Sequence, residues 1–173
     1  MTNTAPIVVP TRAKSPAVGT NALTFSAPGK DGDSFVLDAA TSAVAYGKLE
    51  MQAVKNEPLP DGWACGPNGS VTNDPKVGMV SGLMPLGGAE VTSGYKGYGI
   101  GVMVEILSSI LAGSSYGPWV KNWKFTKEPV CLGQMFLAID PTVFADGFQD
   151  RLQQLLNCYR EMEPVSRIFH LLM

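Results

Sequence analysis

Residues 94–113 read GYKGYGIGVMVEILSSILAG, and no other stretch limits the fold as strongly. Val102, Met103, Ile106, Leu107, Ile110 and Leu111 recur at helical spacing. They predict a helix with a wide apolar face that needs another layer to cover it. Gly113 stops the run. The apolar stretch 100–112 contains Glu105 and is too short to span a bilayer. The glycines that precede the helix, from Gly87 onward, raise the question of a phosphate cradle. A dinucleotide fingerprint needs G-x-G-x-x-G directly after a strand, but Gly97, Gly99 and Gly101 are spaced by two and follow a loop-like segment. A P-loop needs Gly-Lys-Ser/Thr, and Lys96 is followed by Gly97 and Tyr98. Two readings stay open. Lys96, just before a helix N-terminus, could help hold an anion, because free N–H groups and the positive helix end attract one. Alternatively the glycines let the helix pack closely on a neighbour, with Lys96 solvated.

Strand and helix signals alternate along the rest of the chain. Residues 22–28 (ALTFSAP) are β-like and closed by proline, GKDGDS is a turn, and FVLDAA reads as a buried strand ending at Asp38. Thr41 or Ser42 is placed to cap a helix running to about Val54. Residues 55–75 read as a long polar loop. Residues 133–140 (GQMFLAID) predict a second buried strand. A last helix, capped by Asp146, carries Phe148, Leu152, Leu155, Leu156 and Tyr159 on one side through about Met162, and Pro164 ends it. This interleaving argues an α/β or α+β layered fold with helices on a sheet.

Composition narrows the function classes. A chain of 173 residues with 45% hydrophobic and 16% charged residues can bury a core. Its net charge of −2 provides no electrostatic footprint for nucleic acid. The N-terminal MTNTAPIVVP lacks the basic and apolar regions of a signal peptide. Cys65, Cys131 and Cys158 match no zinc spacing and suggest reduced thiols in a cytoplasmic protein. His170 is the sole histidine, so neither a His-based metal site nor a Ser-His-Asp or Cys-His arrangement can be built.

Three further features draw attention. Asp38, at the end of an apolar strand and beside small residues, could orient a base or a ligand hydroxyl, or simply cap the next helix. Glu105 is either a buried functional acid or a partly exposed helical glutamate. Trp119 and Trp123 read as packing residues.

Taken in order, VVPTRAKSPAVGTN, FVLDAATSAVAYGKLE, EPLPDGWACGPNGSVTNDP, MPLGG, GYKGYGIGVMVEILSSILAG and FQDRLQQLLNCYREMEP resemble the malate/L-lactate (L-sulfolactate) dehydrogenase family of type-2 2-hydroxyacid oxidoreductases. The resemblance covers residues 1 to about 164. It implies a non-Rossmann α/β fold of three layers, with a mostly antiparallel mixed sheet and flanking helices, here incomplete. It also implies reversible hydride transfer between NAD or NADP and a small 2-hydroxy acid, and a homodimer with a shared active site. On this resemblance Val36, Leu37, Asp38, Ala39, Ala40, Thr41 and Ser42 form one cofactor-binding segment, with Asp38 supporting the catalytic base. Tyr95 and Lys96 form a second, Lys96 facing cofactor phosphate or ribose, and Thr20 and Asn21 of Gly19-Thr20-Asn21 lie near the nicotinamide.

Residues 1–145 would then be a partial NAD(P)-binding and catalytic domain, 146–164 a C-terminal helix, and 165–173 a divergent tail. Family members are longer than this chain. Nothing here matches their proton-donating Ser-His pair or the arginine that grips the substrate carboxylate, and no metal is implied. The expectation is therefore an isolated chain with little or no activity. The alternative is a non-catalytic truncated product that pairs with a full-length relative.

Overall fold

The computed structural model describes residues 1–122 and 127–163. Among these residues two compact units result, one of residues 1–23 with 39–136 and the other of residues 24–38 with 137–163. The predicted packing residue Trp123, Pro164 and the tail with His170 lie outside the described residues, and the last helix ends at Arg160.

In the first unit, short extended segments pair edge to edge. Val8 bridges Val18 antiparallel and Leu83 parallel, Leu83 bridges Ala64 antiparallel, and Ser42 bridges Pro85 antiparallel. Ala64 belongs to β3 (Ala64–Cys65), which pairs antiparallel with β4 (Val71–Thr72). Numbering starts with β1 (Leu23–Pro28) and β2 (Ser34–Ala39), the paired strands of the other unit. Val8, Val18, Leu49, Leu59, Ala64 and Leu83 make the core, and Val9, Cys65 and Met84 a smaller cluster beside it. Full burial of a side chain such as Leu49 or Leu83 contributes about 1.5–3 kcal/mol. α1 (Tyr46–Lys55) packs on α2 (Pro75–Ser81), and α2 on β3. Gly78 of α2 sits where a Cβ would come within 2.6 Å of the Ala64 Cβ, which sets that close contact.

Two predictions change here. α1 starts at Tyr46, after an Ala45 N-cap, and neither Thr41 nor Ser42 caps it. Their backbone is already committed, because Thr41 N donates to Thr20 O (2.8 Å), Leu86 N donates to Thr41 O (2.9 Å) and Ser42 bridges Pro85. The predicted loop over residues 55–75 contains the β3–β4 hairpin and the start of α2, which Asp74 caps by accepting from Lys76 N (2.8 Å) and Val77 N (3.3 Å). Pro75 at the first helical position completes that signal.

α3 (Gly94–Glu105) runs on as a π-helical turn over Ile106–Ile110. Most of the face predicted to be covered is open, with Val102 and Leu107 half-buried. Gly94, Gly97, Gly101, Val104, Glu105, Ser108 and Ser109 are buried, whereas Met103, Ile106, Ile110 and Leu111 are exposed. The small and polar side packs closest, so the apolar side is left outward. Residues 133–140 do not form the predicted buried strand. Gln134 bridges Thr2 and Met135 N donates to Met1 O, but residues 135–140 enter no strand or bridge, and Phe136 is 86% exposed.

In the second unit, β1 and β2 are joined by a tight turn in which Asp31 and Gly32 both have positive φ (54° and 83°). β2 is not the predicted buried strand. Val36 is 57% exposed and Leu37 41%. α4 (Phe148–Arg160) buries Leu156 and leaves Leu155 and Tyr159 exposed, a narrower stripe than predicted. Its N-cap is Gly147 at φ 75°, not Asp146, whose carbonyl accepts from Arg151 instead. Asp33 ties the hairpin to α4, accepting from Arg160 Nη1 (2.5 Å), Arg160 Nη2 (3.0 Å) and Gln153 Nε2 (2.8 Å). Those bonds hold the Asp33 carboxyl well below the usual carboxylate range. Lys30 pairs with Asp150 alongside.

No helix among the described residues is long and apolar enough to cross a membrane.

Candidate functional site

The glycines in question turn out to lie inside α3, not before it. A Cβ on Gly97 would meet Leu86 N at 2.5 Å and Leu86 Cα at 2.7 Å, and one on Gly101 would meet Thr41 Oγ1 at 3.0 Å. The glycine face therefore lets α3 lie directly on the 86–88 strap and on Thr41, as the packing reading holds. Gly99 faces open space. Lys96 is likewise in the first turn rather than ahead of it, and both Lys96 and Tyr95 are exposed, Tyr95 at 51%. Close packing on one side of this turn and a free cation on the other are compatible.

Behind α3, Thr20, Asn21, Thr41 and Ser42 are stitched into one seam. Thr20 O accepts from Thr41 N (2.8 Å) and Thr41 Oγ1 (3.1 Å), and Thr20 N donates to Thr4 Oγ1 (2.8 Å). Asn21, at φ 32°, accepts from Thr4 N (3.0 Å) and donates to Gly101 O (2.9 Å). Ser42 Oγ donates to Val44 O (2.8 Å), and Ala39 and Ala40 are half-buried. The structure thus joins Thr20, Asn21 and Thr41 to the helix that carries Tyr95 and Lys96. Val36, Leu37 and Asp38 belong to the second unit. There the exposed Asp38 Oδ1 accepts from Thr24 Oγ1 (3.0 Å) across the β-ribbon, so Asp38 caps no helix.

Glu105 is buried, at 5% exposure, and is no partly exposed helical residue. Asn3 Nδ2 (3.1 Å) and Gly117 N (2.8 Å) donate to its Oε1, and Asn21 Nδ2 (2.5 Å) to its Oε2. Asn3 and Thr4, far from α3 in sequence, carry no local signal that foretells this. Trp119, 70% exposed, packs edge-on against Tyr116 with ring centroids 5.1 Å apart.

Two clefts in the first unit also escaped the sequence reading. One, of about 570 Å³, is lined by Asp61, Trp63, Asn73, Leu86, Gly87 and Thr92, so the strap beneath α3 is also its wall. The other, of about 250 Å³, includes Cys65 and Met84 in its lining and is flanked by the Arg12–Glu90 ion pair. The hydrogen bonds of that pair raise the Arg12 pKa and lower that of Glu90, while burial raises that of the Cys65 thiol. No group of three His, Cys, Asp or Glu among the described residues is placed to hold a metal.

A seam of short antiparallel pairings backing a glycine-packed helix defines an α/β protein with a candidate small-ligand platform. Residues 1–170 match the family model for malate/L-lactate dehydrogenase, and the chain belongs to that family. It is 40% identical to a malate dehydrogenase of Pyrococcus abyssi over 159 residues, which cover 91% of this chain and 44% of that protein. It is 32% identical to the (2R)-3-sulfolactate dehydrogenase (NADP(+)) of Chromohalobacter salexigens, covering 94% of this chain and 47% of that protein. The solved sulfolactate dehydrogenase of Methanocaldococcus jannaschii superposes with a TM-score of 0.85 at 32% identity, covering 96% of this chain and 46% of that one. The chain thus spans less than half the length of the relatives it matches.

Proposed function

We propose that this chain carries the cofactor platform of a nicotinamide-dependent 2-hydroxyacid oxidoreductase, acting in the cytoplasm on a small malate- or lactate-like acid. The observation that carries this reading is α3, with its glycine face pressed on Leu86 and Thr41 and with Tyr95 and Lys96 of its first turn exposed. A free cation at a helix start suits a cofactor phosphate or ribose. By the family resemblance, Thr20 and Asn21 would border the nicotinamide, residues 36–42 would be a second cofactor segment, and Asp38 would support the catalytic base. The platform would occupy the non-Rossmann, three-layer fold of the family, with residues 1–145 as its partial catalytic domain, 146–164 as the C-terminal helix and 165–173 as a divergent tail.

Bound NAD or NADP would supply the hydride. Reduction of a carbonyl also needs a proton donor, a contribution of about 10²–10⁴ in rate, and this sequence has no match to the family's Ser-His pair. Without a carboxylate-gripping arginine, substrate orientation is also lost. The isolated chain accordingly binds cofactor but turns over substrate little or not at all. Titration with NADH and NADPH tests the platform.

A second reading is favoured by the open apolar face of α3, where Met103, Ile106, Ile110 and Leu111 lie exposed. On it, the chain is a non-catalytic product that pairs with a full-length relative or with a second copy and modulates it. Co-expression with a full-length relative followed by sedimentation decides this: a joint species supports pairing, and a chain that stays monomeric beside its relative removes it.

A further inference from the structure

We propose that Glu105 is a positioning residue for the nicotinamide end of the cofactor, acting through the wholly buried Asn21 on the adjoining, half-buried Thr20; the proposal rests on the cofactor reading above. Among the described residues, each hydrogen bond to this carboxylate comes from an N–H donor: Asn3 Nδ2, Gly117 N and Asn21 Nδ2. Neither asparagine can flip freely. Thr4 N donates to Asn21 Oδ1 (3.0 Å) and Gly133 N to Asn3 Oδ1 (2.8 Å), so each amide is locked with its NH₂ facing Glu105. The position therefore needs an acceptor on both oxygens, which a carboxylate supplies and a glutamine does not.

A buried carboxylate with no cation beside it among the described residues is a costly way to fill space. Its value lies in where it sits. Asn21 is gripped at once by Glu105 and by Gly101 O of α3, the helix that carries Tyr95 and Lys96. The adjoining Thr20 is fixed by Thr4 and Thr41, the Thr4 and Thr20 hydroxyls being 3.2 Å apart. The carboxylate thereby ties Asn21 to the helix of the Tyr95–Lys96 segment, while the adjoining Thr20 is bonded separately to Thr41 of the other cofactor segment of this unit. The conformation it holds is one an untethered asparagine rarely keeps, since Asn21 has φ 32°.

The test compares NADH or NADPH, whichever binds more tightly, with the matching nicotinamide-free fragment, ADP-ribose or its 2′-phosphate. Wild-type chain, Glu105→Gln and the core control Leu49→Val are titrated with each probe, and folding is checked by circular dichroism. In Glu105→Gln the reduced dinucleotide is expected to bind about tenfold more weakly, the loss of one charge-assisted hydrogen bond, while fragment affinity holds within about twofold. Leu49→Val is expected to change neither. If Glu105→Gln does not fold, Glu105→Asp, which keeps the charge but withdraws it by one methylene, carries the same comparison. Equal weakening of both probes, or none, overturns the positioning role alone. A folded wild-type chain that binds no probe overturns the cofactor reading and this proposal with it.

Discussion

Gly97 lies so close to Leu86 that a Cβ on it would stand 2.5 Å from the Leu86 nitrogen, an atom already donating to Thr41 O. The obstacle is backbone and cannot swing aside. Gly97→Ala is expected to destabilise the first unit by about 1–3 kcal/mol. Gly99, two residues on, faces open space, and Gly99→Ala is expected to stabilise by about 0.5–1 kcal/mol through helix propensity. Urea unfolding of the two variants would settle the matter; equal effects would contradict the close contact.

In the second unit, acid should act through Asp33. Its folded-state pKa is depressed by Arg160 and Gln153, so its stabilising contribution is fully present above the unfolded value of about 3.9 and disappears as pH falls through the folded value. Asp33→Asn, which also breaks the bidentate pair with Arg160, should flatten the loss of α4 helicity below about pH 4. Ellipticity followed from pH 6 to pH 2 checks this, and an unchanged acid limb in the variant would speak against it.

Thiol accessibility separates the cysteines. Cys65 is buried and burial raises its pKa, whereas Cys131 and Cys158 are exposed. Two thiols per chain are expected to react quickly with an aromatic disulfide reagent, and the third only on unfolding. Rapid reaction of all three would mean that the Cys65–Met84 cluster is not packed as described.

The open face of α3 carries its own prediction. Ile110→Lys places a charge on an exposed position and should cost this unit little stability while abolishing any self-association or pairing through that face. Sedimentation velocity of the wild-type and Ile110→Lys chains is the measurement; association that survives the substitution would place the contact elsewhere.

What the sequence made legible was local. The β-ribbon of residues 23–39, α4 and the existence of α3 follow from turn residues and helical spacing close to them in the chain. The helix start at Gly94 was missed because glycines there serve packing, which overrides their usual loop preference. Thr41 looked like a helix cap because its commitment to Thr20 and Leu86 depends on residues far from it in sequence. The buried faces of β2 and of residues 133–140 were expected from apolarity alone, yet burial needs a covering layer and the described residues of the second unit provide none over Val36 or Leu37. In the candidate site, a cofactor role for Lys96 and Thr20 was suggested by family likeness and stays a proposal. The Asn3–Glu105–Asn21 network was not, since it joins residues more than eighty positions apart.

The most direct test of the central claim is a fluorescence titration of the purified, folded chain with NADH and NADPH, alongside Lys96→Ala. Saturable binding of one cofactor, weakened about tenfold by the loss of that cation, is the predicted result. A folded chain that binds neither cofactor, or a Lys96→Ala variant that binds as the wild type does, would contradict it.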